Sequence, residues 1–570
     1  MENLFEKLQQ QTIVLSNLCA QYETTYFLTY LSSILLSMPR RYEHPALRKL
    51  KSPLKQIFYA ACLNICAEKP GSKPSITENE WDAIALLLED IETEYSMNLA
   101  FYHVDDDTID KDKISVVLPT FLNYFCSGPL SYQEQEMERI VNTFVHFETQ
   151  IFQEFGVTPR DFVNFYEFVD SLMNEKLNKA LHFAKGDRWK EFTNECLAKG
   201  LNDPKDWIKE APEEITAYAR LMNDPGYLVV ININDISEDI ADKDKFIKII
   251  KLLSCSNCPT NELIYYTSRN PLLEKPIYQI DNDHYLMFFQ KHILDATYKF
   301  LFNFCKSKGD KIYHQRDKLL EVKVEELFSD FFQKKAFIYK SYYVDGHSEQ
   351  DLLVLYKGMA LIIECKAATF REPMRDPLRA YDRIKSDFKK NIQYGYDQTY
   401  RVKSKFNENQ PFDITDNKGK VQYRVDPRRY RDVFSLVVTL DRFGMIQTDL
   451  SAMLSLNEDE LYPWAINIDD LEAILLVMAK RGGGQIGQFR TYLDYREGYH
   501  GHVICDDELE LCGMFLQFPK KFIERSMMEE SIVLEPGYTK PIEDAYRQGL
   551  GFKNERYYDE KISKKIGFMY

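Results

Sequence analysis

Two short apolar runs, Leu352–Tyr356 and Met359–Ile363, are separated only by Lys357-Gly358. Both are rich in residues that suit a pleated, buried surface. A two-residue break containing glycine predicts a tight hairpin. Counting outward from it pairs Tyr356 with Met359, Leu355 with Ala360, and finally Asp351 with Glu364. Cβ atoms facing each other in such a pair lie roughly 4.5–5.5 Å apart. Lys366 follows Glu364 by two residues, so it projects from the same face. The predicted hairpin therefore carries two carboxylates and an ammonium at its open end. Carboxylates that close repel unless a proton or a cation sits between them.

The surrounding pattern supplies the neighbours. Asp317–Gln333 is predicted as a helix with an apolar stripe of Leu320, Val324, Leu327, Phe328 and Phe331. Phe337–Val344 is predicted as a strand, Arg379–Val402 as a long basic helix after Pro373 and Pro377, and Val433–Leu440 as a buried strand. The order across this region is α-β-β-β-α-β.

Residues 1–220 show helical spacing at Phe27–Leu36, Trp81–Leu99, Ile140–Phe155 and Asp161–Phe183, with a helix start near Ser75–Glu80. In 221–309 the pattern is mixed: a strand from Gly226, a hairpin around Asp281–His284 and a helix from His292. Residues 446–570 return to helices, including Leu471–Lys480. The expected domains are a helical interaction or regulatory module at 1–220, a mixed adaptor at 221–309, the site-bearing domain at 310–445 and a mostly helical region at 446–570.

With 570 residues, 45% of them hydrophobic, several buried cores are expected. No apolar stretch approaches the ~18 residues of a membrane span, and the MENLFEKLQQQ start is unlike a signal peptide. Eleven cysteines without framework spacing point to free thiols in a reducing cytoplasm. Cys255-Ser-Asn-Cys258 is the single CxxC, and a structural zinc site would want a second pair. Net charge is −16, which argues against a nucleic-acid partner, yet Lys366–Arg431 holds 17 Lys and Arg against 9 Asp and Glu. A basic stretch beginning at the suspected site suits a phosphate-rich partner.

Glu-x-Lys alone carries little information, since Glu321-x-Lys323 has the same spacing inside a predicted helix. Apolar runs, central turn, matched register and facing Asp351 together give the signal. The combination resembles the PD-(D/E)xK superfamily, the restriction-endonuclease-like fold, over about 130 residues. Asp351 matches the family's metal-ligand Asp, and Glu364 with Lys366 matches the (D/E)xK pair. Gln350 stands where the family's proline would be. The resemblance implies a restriction-endonuclease-like α+β core within a large, mostly helical multidomain chain. It also implies a Mg²⁺ cofactor, with Mn²⁺ as substitute, held by Asp351, Glu364 and the main-chain carbonyl of Cys365.

Many members add an acid on the first helix, for which Glu321 is the candidate and Glu325 the runner-up. Many also carry a glutamine after the third strand, here Gln398 ahead of Gln393. Arg371, Arg375, Arg379 and Arg383 recur every fourth residue and are the candidate phosphate ligands, with a solvated face as the competing reading. Arg481-Gly-Gly-Gly lacks the GK[ST] of a P-loop, and His500-Gly-His502 has no matching metal partner.

The resulting expectation is a cytoplasmic metal-dependent nuclease, acting on DNA as an endonuclease and resembling regulated nucleases of bacterial antiviral defence. No membrane association is expected. The helical region at 1–220 is expected to meet a protein partner or a second copy. The competing expectations are an inactive nuclease-fold scaffold and an RNA-directed nuclease.

Overall fold

A computed structural model describes Glu2 to Glu555, apart from residues 39–42, 96–110, 127–130, 185–186, 204–205, 208–210, 212, 225, 238–241, 347, 373–376, 483 and 554. The protein is mixed α/β, predominantly helical, with several mixed sheets. Among the described residues no helix is long and apolar enough to cross a membrane.

The chain forms two compact units. The first takes Met1–Glu94 and Cys126–Lys308, and the second takes Tyr95–Phe125 and Gly309–Lys565.

In the first unit, helices Thr24–Leu35, Pro53–Ile65, Glu78–Thr93 and Pro159–Ala184 accompany a small four-stranded sheet. Thr77 and Glu80 form a reciprocal cap on the helix Glu78–Thr93, each side chain satisfying the other's backbone N–H. The segment expected to be an adaptor belongs to this core. The Ser32 hydroxyl donates to the Phe288 carbonyl at 2.8 Å, and the Phe58 and Phe288 rings meet edge to face. The strand expected from Gly226 shrinks to Val230–Asn232, because Val229 and Val230 donate back to the Gly226 carbonyl in a turn.

The second unit is built on α1 (Lys311–Phe331), β1 (Phe337–Val344), β2 (Gln350–Tyr356), β3 (Met359–Lys366), α2 (Pro377–Phe388) and α3 (Tyr394–Asn407). Then come β4 (Phe412–Thr415), β5 (Val421–Val425), β6 (Asp432–Thr439) and β7 (Trp464–Asn467). These strands form one sheet in the order β7-β6-β3-β2-β1-β4-β5. β3 and β6 run parallel, so the chain needs a crossover between them, which α2 and α3 provide. A π-helical turn, Lys389–Gln393, joins those two helices.

The β4–β5 hairpin is an addition to the expected order. Its turn uses Gly419 at φ 75° and the Asp416 carboxylate, which accepts from Lys418 N and Lys420 N. β7, from the region read as helical, completes the other edge. Leu353, Leu355, Ala360 and Ile362 pack with Val402 and Phe406 of α3, so α3 covers the sheet face that Asp351, Glu364 and Lys366 share by alternation.

Candidate active site

The hairpin turn has positive φ at both central residues, 39° at Lys357 and 81° at Gly358. That geometry matches the twist of the flanking strands and holds the register. Five pairs follow, from Tyr356–Met359 to Leu352–Ile363. At the next step side chains enter the ladder. Asp351 N donates to Glu364 Oε1 at 3.2 Å, and Cys365 N donates to Asp351 Oδ2 at 2.7 Å. Lys366 Nζ lies 2.8 Å from Glu364 Oε2 and 3.8 Å from Asp351 Oδ2.

The electrostatics follow from this crowding. Glu364 is fully buried. Burial first and the Asp351 charge second push its carboxyl up to about 8, although Lys366 opposes both. Burial disfavours the Lys366 charge, but Glu364 and Asp351 outweigh it and hold the ammonium above its ordinary value.

Glu321 on α1 belongs to the same field. Burial, then Asp351 and Glu349, push its carboxyl up to about 7, against the pull of Lys366. Glu325 instead pairs with Lys340 at 2.9 Å. On α3, the close approach to the sheet requires Gly395. A Cβ there would meet Val437 Cγ1 at 2.7 Å and Lys366 Cε at 3.5 Å. The neighbouring Tyr394 ring centres 5.5 Å from Lys366 Nζ. Gln398 is one turn further along α3, buried, with Oε1 lacking a hydrogen-bond partner among the described residues. Gln393 is engaged, bonding Asp397 and both the N–H and the carbonyl of Ser455.

The arginine series is not one stripe. Arg371 precedes α2, and its guanidinium clasps Asp387 at 2.6 and 2.9 Å. Arg375 lies outside the described residues. Arg379 is exposed on α2 and Arg383 half-buried there. His500, from the His-x-His pair, accepts from Leu450 N at 3.0 Å, and burial pushes it down to about 4. Asp507 caps a helix by accepting from Glu510 N.

One residue escaped the sequence reading. Tyr342 of β1 pairs with Gln350, is fully buried, and has a hydroxyl with no partner among the described residues. Burial, then Glu364 and Asp351, raise its ionisation well above the ordinary phenol. It therefore stands within electrostatic reach of both carboxylates. A tyrosine inside the predicted strand Phe337–Val344 was the available signal, but its register against β2 was not countable.

Among the described residues no three His, Cys, Asp or Glu side chains group to hold a metal ion. Mg²⁺ does not require such a cage, since it keeps several waters and takes one or two carboxylates. The buried Glu364 and the half-buried Asp351, two facing hard-oxygen donors with one lysine between them, fit that cation. Comparison with protein-family models, with curated proteins and with solved structures gave no match.

Proposed function

We propose that this chain is a metal-dependent nuclease of the PD-(D/E)xK type, hydrolysing phosphodiesters with DNA as the principal substrate. The supporting observation is the cluster of Asp351, Glu364 and Lys366 on one face of a hairpin whose ladder ends on their side chains. Asp351 and Glu364, with the Cys365 carbonyl, would hold Mg²⁺ or Mn²⁺. When bound, such an ion acidifies its water and neutralises charge building on the phosphorane.

The chain's own groups divide the remaining work. Lys366, whose ammonium lies 2.8 Å from Glu364 and 3.8 Å from Asp351, stabilises phosphate charge. Glu321, poised at about 7, accepts the proton of the attacking water near neutral pH. Gln398 offers a free carbonyl oxygen to orient that water. Arg379 and Arg383 on α2 serve the flanking phosphates. On this reading the protein is cytoplasmic, and its acidic helical region meets a protein partner or a second copy that restrains the nuclease, as in antiviral defence.

The test is cleavage of DNA and RNA panels with Mg²⁺, Mn²⁺ or EDTA by wild type, Asp351→Ala and Lys366→Ala. Metal-dependent cleavage lost by roughly 10²–10³-fold or more in each variant is expected. Equal cleavage by both variants, or none by wild type on every panel, would sink the reading.

A further inference from the structure

The first unit gathers thiols from distant stretches of sequence. Cys62 and Cys66 lie one turn apart at the end of the helix Pro53–Ile65, with Cys66 as its C-cap. Cys255 and Cys258 lie where the short strand Ser254–Cys255 runs into a loop. That loop docks by backbone hydrogen bonds on the helix end. Cys258 N donates to the Ile65 carbonyl at 3.0 Å, and Thr260 N donates to the Cys66 carbonyl at 3.1 Å.

These bonds seat Cys258 against the helix end that Cys66 caps. The two sulfurs are 3.0 Å apart. Cys62 Sγ also interacts with Cys66 and donates to the Arg269 carbonyl at 3.9 Å, while Cys255 Sγ donates to the Lys275 carbonyl at 3.4 Å. Among the described residues no three of these side chains stand so as to hold a metal ion, and Cys66 and Cys258 face each other directly. A cavity of about 430 Å³, lined by Cys255, Asn257, Cys258, Lys275 and Tyr285, opens beside the half-exposed Cys258.

We propose that Cys66 and Cys258 form an oxidation site that takes a hydroperoxide as substrate and closes to a disulfide. The Cys258 thiolate attacks the peroxide, the O–O bond breaks, and sulfenic acid and an alcohol (water from H₂O₂) result. The Cys66 thiol then displaces water from the sulfenic acid, forming the S–S bond. In total two thiols lose two protons and two electrons, which reduce the hydroperoxide to alcohol and water. Burial pushes the Cys258 thiol up to about 12, so little thiolate is present at neutral pH. Oxidation is accordingly slow there and accelerates as pH rises. The inference is independent of the nuclease reading.

The experiment exposes the full chain to hydrogen peroxide at neutral pH and at about pH 9, then alkylates, weighs and maps it. Loss of two hydrogens, a Cys66–Cys258 crosslink, faster closure at the higher pH and reversal by dithiothreitol are expected. Cys66→Ser and Cys258→Ser each abolish the crosslink, whereas Cys255→Ser retains it. Full alkylation of both cysteines after peroxide, or a Cys255–Cys258 crosslink instead, would overturn the proposal. So would a stoichiometric zinc ion in the untreated protein that leaves only when these thiols are modified. Mapping of the wild type decides the matter even where a variant fails to fold.

Discussion

Two buried glutamates of the second unit meet opposite fates. Glu508 accepts from Trp464 Nε1 at 2.8 Å, from Arg496 Nε at 2.8 Å and Nη2 at 3.0 Å, and from the Tyr492 hydroxyl. Arg496 spends a further N–H on the Thr448 carbonyl at 2.7 Å. A planar, forked cation matches the carboxylate there, and two neutral donors complete the shell. Glu364 has one lysine at 2.8 Å and one backbone N–H at 3.2 Å, and it faces a second carboxylate. Its charge is under-compensated, and the Tyr342 hydroxyl has no partner among the described residues in the same field. The first cluster is closed and holds the fold. The second has unspent ligand capacity, which a structural ion pair would not retain.

The largest expected effect lies in the closed cluster. Glu508→Ala leaves the Arg496 charge buried without its carboxylate, together with the Trp464 and Tyr492 donors. Breaking a buried pair from one side costs about 3–5 kcal/mol. Thermal or denaturant unfolding should show a loss of that size. A loss below about 1 kcal/mol, the size of an exposed pair, would remove the contrast between the two clusters.

At Glu364 the sign reverses. Its folded carboxyl titrates at about 8, above the ordinary 4.5, so the folded state holds a proton that the unfolded chain has released. This group therefore costs nothing below 4.5, and it lowers stability progressively as pH climbs from 4.5 to about 8. The slope is at most about 1.4 kcal/mol per pH unit. Glu364→Gln removes that slope and should be more stable than wild type at pH 8 by about 2–4 kcal/mol. Glu321→Gln, whose carboxyl titrates at about 7, separates the smaller contribution falling in the same window. Mg²⁺ should stabilise wild type more at pH 8 than at pH 6, because binding must displace the proton, and it should not stabilise Glu364→Gln. Wild-type stability that is flat from pH 5 to pH 8 would contradict the under-compensation.

The same contrast marks what the sequence made legible. The hairpin could be counted because a two-residue loop sets register, and a one-residue slip would have turned every Leu and Ile out of the core. Asp351, Glu364 and Lys366 came with it. Tyr342 did not, because β1 reaches β2 through residues 345–349, a connection that sets no unique register. The Arg371–Asp387 clasp was hidden for a related reason: it joins a loop to a helix and follows no period. β7 escaped because four residues are too few to show alternation. The Cys66–Cys258 contact spans 192 positions and rests on a loop docked against a helix end, which no spacing rule encodes.

The smallest expected effect tests the open cluster most directly. Tyr342 is fully buried and its hydroxyl has no partner among the described residues, so its removal leaves none of their donors or acceptors stranded. Tyr342→Phe should change stability by less than about 1 kcal/mol, and the change should favour the variant, since a desolvated hydroxyl without a hydrogen bond is a cost. If the hydroxyl serves the occupant of the Asp351–Glu364 site, the variant should bind Mg²⁺ more weakly or cleave more slowly although it is as stable as wild type. A hydroxyl with only a packing role would leave both unchanged. Loss of stability by more than about 2 kcal/mol would mean that the hydroxyl has a structural partner, and the open cluster would then be as closed as that of Glu508.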